Sequence, residues 1–313
     1  MTKNKLKTAE AFAPAAISSF FQIHDTENGA PIADLAKIGA IGGGFGLQKG
    51  VKTSVTAKVA ETNTTEVFIN SKPAAGAKTT RAVIEKILAK TNSKYAVRVE
   101  HQIEVPIGMG FGTSAGGALT TGLALSKAIE LPLTYNQIGQ ISHVAEIECQ
   151  TGLGTVSSLT FSGGCVLVVE AGAPGKCQID RIPMASDYVL VCGYLQTKIP
   201  KTILSSPEKK KKINTYGKKT LDAILFEPSL GNFMDRCWEF GQKAGFATDN
   251  IRQLVTAAKK AGAVGAAQNM IGEAVHALVL EENAESVAEA FKQTLPPQQV
   301  IVSKIDFQGA RLL

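Results

Sequence analysis

The chain has no Cys-x-x-Cys pair, no cluster of cysteines with histidines, few aromatics and no apolar run of membrane-spanning length. Each absence removes a class of function. The five cysteines (Cys149, Cys165, Cys177, Cys192, Cys237) show neither metal-ligand nor disulfide-framework spacing. Cys165 and Cys192 lie in apolar strand-like runs, so buried free thiols and a reducing compartment are expected. Aromatics make up 6% of the residues, too few to interleave with a basic nucleic-acid-binding face. The net charge of +6 owes much to one run, Glu208 to Lys212, read as a solvated helix face, and such a mild excess suits small anionic ligands. Residues 1–10 are polar and hold no apolar signal core. The expectation is a cytoplasmic protein without nucleic-acid or membrane partners. At 313 residues, 44% of them hydrophobic, the chain can bury one large core or two ordinary ones.

What is present is glycine at chosen places. Pro106-Ile-Gly-Met-Gly-Phe-Gly-Thr-Ser-Ala-Gly-Gly-Ala118 lies between a strand-like segment, 95–105, and a helix of small residues, 114–129. Gly108, Gly110 and Gly112 free the backbone for positive φ and close approach to a ligand. Thr113 and Ser114 bring hydroxyls to a helix start, where unpaired N–H groups and the helix dipole favour an anion. Ala115 and Gly116 keep the first turn bare. The loop is not a Walker loop, because no Gly-Lys-Ser/Thr closes it, and no acidic residue follows at dinucleotide-fold distance. From the residues alone, glycines before a helix serve tight packing on a sheet as well as they serve a phosphate.

Around this stretch the patterning predicts a strand at 10–25, a glycine-dense loop at 38–53 feeding a hairpin, and a helix at 81–88. Thr134-Tyr-Asn-Gln137 is a capping box opening a helix to about Cys149. That helix carries two carboxylates, Glu146 and Glu148, which point to different sides, and His143 one turn before Glu146. A Thr151-Gly-Leu-Gly-Thr155 loop, a strand at 165–169, a strand at 188–193 and a polar loop at 196–206 follow. Helices are expected at 207–225, 229–244, 249–260, 265–280 and 283–293, before a closing strand at 299–306. The class is α+β.

The loop 106–118 resembles the phosphate loop of the GHMP kinases, Pro-x-Gly-x-Gly-x-x-x-Ser/Ala. The ordered set of Pro14-Ala-Ala-Ile-Ser-Ser-Phe-Phe21, the glycine loop, the phosphate loop, the Glu146 helix, Thr151–Thr155 and the segment Lys259–Val275 is similar to the archaeal pantoate kinase branch of that superfamily. The resemblance implies a ribosomal S5 domain 2-like N-terminal domain, 1–183, and a ferredoxin-like α+β C-terminal domain, 184–313. It implies ATP held by Pro106, Gly108, Gly110, Phe111, Gly112, Thr113, Ser114, Ala115 and Gly116, and Mg2+ held by Ser114 and Glu146. It further implies a hydroxy-acid substrate, pantoate first, near Ser18, Ser19, His143, Lys198, Thr202 and Asn269; a homodimer is left open. The chain departs from the branch at Ala15 and Ser19 (glycine there), Ala16 (histidine there) and Thr155 (aspartate there). Threonine is no useful base near neutral pH, so Thr155 leaves three readings: the acceptor hydroxyl loses its proton late or to the phosphate itself, another group substitutes, or the protein no longer catalyses. Another GHMP kinase acceptor, phosphomevalonate or homoserine, and a non-catalytic ligand sensor are the alternative readings.

Overall fold

A computed structural model describes residues 6–161, 163–195 and 206–313. The chain begins with β1 (Lys7–His24), makes a small hairpin of β2 (Thr26–Glu27) and β3 (Ala30–Pro31), and returns as β4 (Gly39–Ala60). β1 and β4 pair antiparallel from Lys7↔Ala57 to His24↔Gly39, with register shifts between Pro14 and Ala15 and between Ser18 and Phe20. The glycine-dense segment expected as a loop is therefore strand. Its glycines are there because other backbone passes close: a Cβ on Gly44 would lie 1.7 Å from the Ile17 carbonyl oxygen, and one on Gly42 2.4 Å from that of Phe20.

β5 (Thr64–Ile69) and β6 (Lys72–Pro73) lead to α1 (Lys78–Leu88), which starts three residues before the periodicity suggests, and then to β7 (Lys94–Ile103). α2 (Thr113–Ala128) leaves the glycine loop and is buried nearly all round, as its small residues require. Gly122 in α2 meets Ile138 of α3 (Tyr135–Cys149), where a Cβ would approach the isoleucine methyl to 2.7 Å. Thr134 caps α3 with both bonds of the capping box formed. After α4 (Thr155–Phe161), β8 (Cys165–Glu170) pairs with β4 and with β9 (Gln178–Ile182), completing an eight-stranded sheet that also takes in β14 (Arg311–Leu312). α1, α2 and α3 pack on this sheet around Val55, Val83, Ile87, Val99, Leu119 and Ile138.

The change of sheet falls between β9 and β10 (Tyr188–Tyr194). The helices α5 (Pro207–Phe226), α6 (Leu230–Lys243) and α7 (Asp249–Lys260) follow, with Ser206, Ser229 and Thr248 as N-caps. The segment expected as a helix at 265–280 is instead two strands, β11 (Gly265–Gln268) and β12 (Ala274–Leu280). Runs such as Val275-His-Ala-Leu-Val-Leu280 fit a buried strand as well as a buried helix, and pairing with β10 along its full length decides the matter. With α8 (Ala284–Lys292) and β13 (Val300–Lys304), this part forms a four-stranded sheet of order β11-β12-β10-β13. Phe20 and Phe45 from the first sheet meet Phe233 of α6 edge-on, with ring centroids 6.2 and 5.4 Å apart, so one aromatic core joins the two halves.

Candidate active site

The glycine loop is held from below by the first strand. The Ala16 N–H donates to the Phe111 carbonyl at 3.1 Å. Gly108, Gly110 and Gly112 take φ values of 84°, 80° and 61°, the left-handed region where a side chain is strained. A Cβ on Gly112 would also lie 2.8 Å from the Ala16 Cβ and 3.0 Å from the Thr155 Cγ2, so this glycine is needed for space as well as for φ. Around Gly108 a Cβ would meet nothing within 4 Å, which leaves that part of the loop open to a ligand. α2 then begins at Thr113 without any side-chain cap. Pro106, Thr113 and Ser114 are half-buried, Ala115 and Gly116 lie under the loop, and the Phe111 side chain is core, edge-on to Tyr194. Only the backbone of Phe111 is available to a ligand.

Beside the loop sits a buried carboxylate. Glu146 is 2% exposed. Its Oε1 accepts from the Thr151 hydroxyl at 3.1 Å, and the Ser114 hydroxyl lies within bonding reach. Burial pushes the Glu146 carboxyl up from its ordinary range, and the two hydroxyls only partly draw it back. Among the described residues no lysine or arginine pairs with it. Gly152 gives the carboxylate its room, because a Cβ there would lie 2.3 Å from Oε2. Glu148, two residues on, faces outward and pairs with Lys86 at 2.8 Å. A buried, unpaired carboxylate costs several kcal/mol, so the pocket suits an arriving cation. The donors are oxygens only, one carboxylate with neighbouring hydroxyls, the kind of set that takes Mg2+ together with a ligand's phosphates. Among the described residues no cluster of three or more His, Cys, Asp or Glu could hold an ion by itself.

The opposite wall joins the two sheets. The Met270 N–H donates to the Ser18 carbonyl at 2.7 Å, and a Cβ on Gly272 would lie 2.7 Å from the Met109 carbonyl oxygen, so the 269–272 turn rests on the glycine loop. Behind it, His276 bonds Ser19 Oγ through Nε2 and Asn269 Oδ1 through Nδ1, each at 2.8 Å. Because the amide oxygen can only accept, Nδ1 carries the proton and Ser19 donates to Nε2. Burial lowers the His276 pKa to about 3, so the ring is neutral. The buried Asn269 Nδ2 has no partner within the described chain. His143 is turned away from this wall: its Nε2 bonds the Ile38 carbonyl at 2.8 Å, tying α3 to the segment before β4. Thr155 sits at the start of α4, against Gly112. Lys198 and Thr202 lie outside the described residues.

Thr79, Thr151 and His276 belong to this arrangement although the sequence reading does not select them. Thr151 carried a signal, its place in the Gly loop after the Glu146 helix. Thr79 carried none, since its partners Ser114 and Thr151 lie 35 and 72 residues away.

A glycine loop with positive φ at three positions, an uncapped helix start and a buried carboxylate beside them fit a small-molecule kinase. Residues 78–163 match the family model for the GHMP kinases N terminal domain. The chain is 31% identical to the pantoate kinase of Thermococcus kodakarensis over 93% of this chain and 94% of that one. It is 28% identical to the pantoate kinase of Methanocaldococcus jannaschii, covering 91% of this chain and 97% of the other. A solved structure of a phosphotransferase related to the coenzyme A biosynthesis pathway superposes with a TM-score of 0.84 at 28% identity, over 98% of both chains. The chain belongs to the GHMP kinase family, on its pantoate kinase branch.

Proposed function

We propose that the protein transfers the γ-phosphoryl group of ATP to the primary hydroxyl of pantoate, giving 4-phosphopantoate and ADP on the way to coenzyme A. The observation that carries the reading is Glu146: buried, without a lysine or arginine partner among the described residues, and beside Ser114 of the glycine loop. The 28–31% identity to two pantoate kinases supports the acceptor.

In this reading the bare first turn of α2 and the backbone of residues 108–112 receive the phosphates, and Ser114 with Glu146 holds Mg2+. The cation, when bound, neutralises charge that builds up on the phosphoryl oxygens. Ser18 and the Asn269 amide, beside the glycine loop, are assigned to the acceptor in the same reading; Lys198 and Thr202, expected with them, lie outside the described residues. Thr155 supplies no base, so the chain contributes alignment and electrostatics, and the proton leaving the pantoate hydroxyl passes to the transferred phosphoryl group. A division of the chain after residue 183 belongs to the same reading, supported by the change of sheet between Ile182 and Tyr188. Cytoplasmic location belongs to it too; among the described residues no helix is long and apolar enough to cross a membrane.

Thr155 is the observation that favours a second reading, a ligand sensor that binds nucleotide without turnover. ADP release with Mg-ATP, measured against pantoate, phosphomevalonate, homoserine and no acceptor, separates the two. Pantoate-dependent release is expected. Nucleotide binding without release on any acceptor would favour the sensor.

A further inference from the structure

We infer that Thr79 is a positioning residue for the cation pocket: its hydroxyl oxygen accepts the Ser114 hydrogen bond and thereby leaves a Ser114 lone pair free for the ion. The inference rests on the reading that Ser114 and Glu146 hold Mg2+. Thr79 is 6% exposed at the start of α1, an element outside the glycine loop. Its Oγ1 lies 2.9 Å from Thr151 Oγ1 and 3.5 Å from Ser114 Oγ, and Thr151 in turn reaches Glu146 Oε1 at 3.1 Å.

Each hydroxyl has one proton to give, and that fixes the direction of the chain. An ionised carboxylate only accepts, so Thr151 donates to Glu146. With the Thr151 proton used, Thr79 donates to Thr151, and Thr79 is left with lone pairs facing Ser114. Ser114 has two places to send its proton, Thr79 and Glu146. A hydroxyl that ligates a cation must keep its proton off the neighbouring ligand. Thr79 provides the outlet, so that Ser114 and Glu146 can both present lone pairs to one ion.

The position of Thr79 is set independently of any ligand. The next residue, Thr80, bonds His101 Nε2 at 3.0 Å, His101 Nδ1 bonds Thr53 at 2.7 Å, and Thr120 of α2 donates to the Gly116 carbonyl at 2.8 Å while also bonding Thr53. This buried network pins the first turn of α1 to the helix that leaves the glycine loop.

The test uses the full chain with Thr79→Val, which keeps the shape and removes the hydroxyl, and Thr79→Ser, which restores it. Mn2+ binding in the presence of a non-hydrolysable ATP analogue is followed by electron paramagnetic resonance, nucleotide binding in EDTA by calorimetry, and folding by thermal melting. Thr79→Val is expected to weaken Mn2+ binding by about tenfold, the range for residues that orient a metal ligand, with metal-free nucleotide binding unchanged and Thr79→Ser close to wild type. Unaltered Mn2+ affinity in a folded Thr79→Val protein overturns the inference. So does an equal loss of nucleotide binding in EDTA, which would mark a purely structural role. If Glu146→Gln also leaves Mn2+ affinity unchanged, the cation-site reading itself falls, and the Thr79 inference with it.

Discussion

Glu146 and Asp306 are both 2% exposed, yet the chain treats them in opposite ways. Asp306 Oδ1 accepts from the Gln308 and Gly309 N–H groups at 2.9 and 2.8 Å, and Oδ2 pairs with Arg311 at 2.9 Å. Every demand of that carboxylate is met from within, and the result is a closed turn that brings β14 back to β1. Glu146 meets only hydroxyls, and burial raises its pKa. Asp306 is paired by the chain and serves the fold, whereas Glu146 has no lysine or arginine partner among the described residues, which is what the proposed cation-binding role requires.

The contrast is broken most severely at Glu146 itself. Glu146→Gln is expected to lower kcat by about 1,000-fold, as loss of a main electrostatic element does, without loss of stability. The sign follows from the direction of the shift. A folded pKa raised above the unfolded one means that ionisation costs stability as pH rises through it, and glutamine carries no such cost. Asp306→Asn should do the reverse, with nucleotide-dependent turnover per folded molecule retained and about 3 kcal/mol lost in urea unfolding, because Arg311 is left unpaired. If the two variants behaved alike, the distinction between the carboxylates would be lost.

A smaller change reaches Glu146 through its neighbour. A Cβ on Gly152 would lie 2.3 Å from Oε2, so Gly152→Ala must displace the carboxylate. Steady-state kinetics should show kcat down by about 100-fold, the cost of a misplacement near 1 Å. The buried histidines sharpen the comparison least. Burial holds His101 at a pKa of about 4 and His276 at about 3, against an ordinary value of 6.5. Between these limits the unfolded chain binds more protons, so stability is complete above about pH 6.5 and declines as pH falls toward 4. His101→Asn should flatten the pH dependence of the unfolding free energy in that window, and an unchanged slope would contradict the assignment.

How far the site could be read from sequence depends on the kind of constraint. The positive φ values of Gly108, Gly110 and Gly112 demand glycine, so the loop was written into the chain, and the Thr134–Gln137 capping box marked α3 in the same local way. Gly42 and Gly44 carried the same letters for another reason, the crossing of β1 and β4, and local reading took them for a loop. The misassigned 265–280 segment shows the limit from the other side. Small and branched residues satisfied either period there, and only pairing with β10 decides. The hydroxyl chain from Ser114 to Glu146 was the least legible part, because its members come from α1, α2 and the loop after α3, and threonine carries no periodic mark.

The central claim is tested most directly by the phosphorus NMR spectrum of a reaction containing the protein, ATP, Mg2+ and pantoate. The account predicts ADP and a phosphate monoester of pantoate in equal amounts, with neither formed in EDTA and both formed about 1,000-fold more slowly by Glu146→Gln. ATP left intact beside pantoate, or ADP accompanied only by inorganic phosphate, would contradict it.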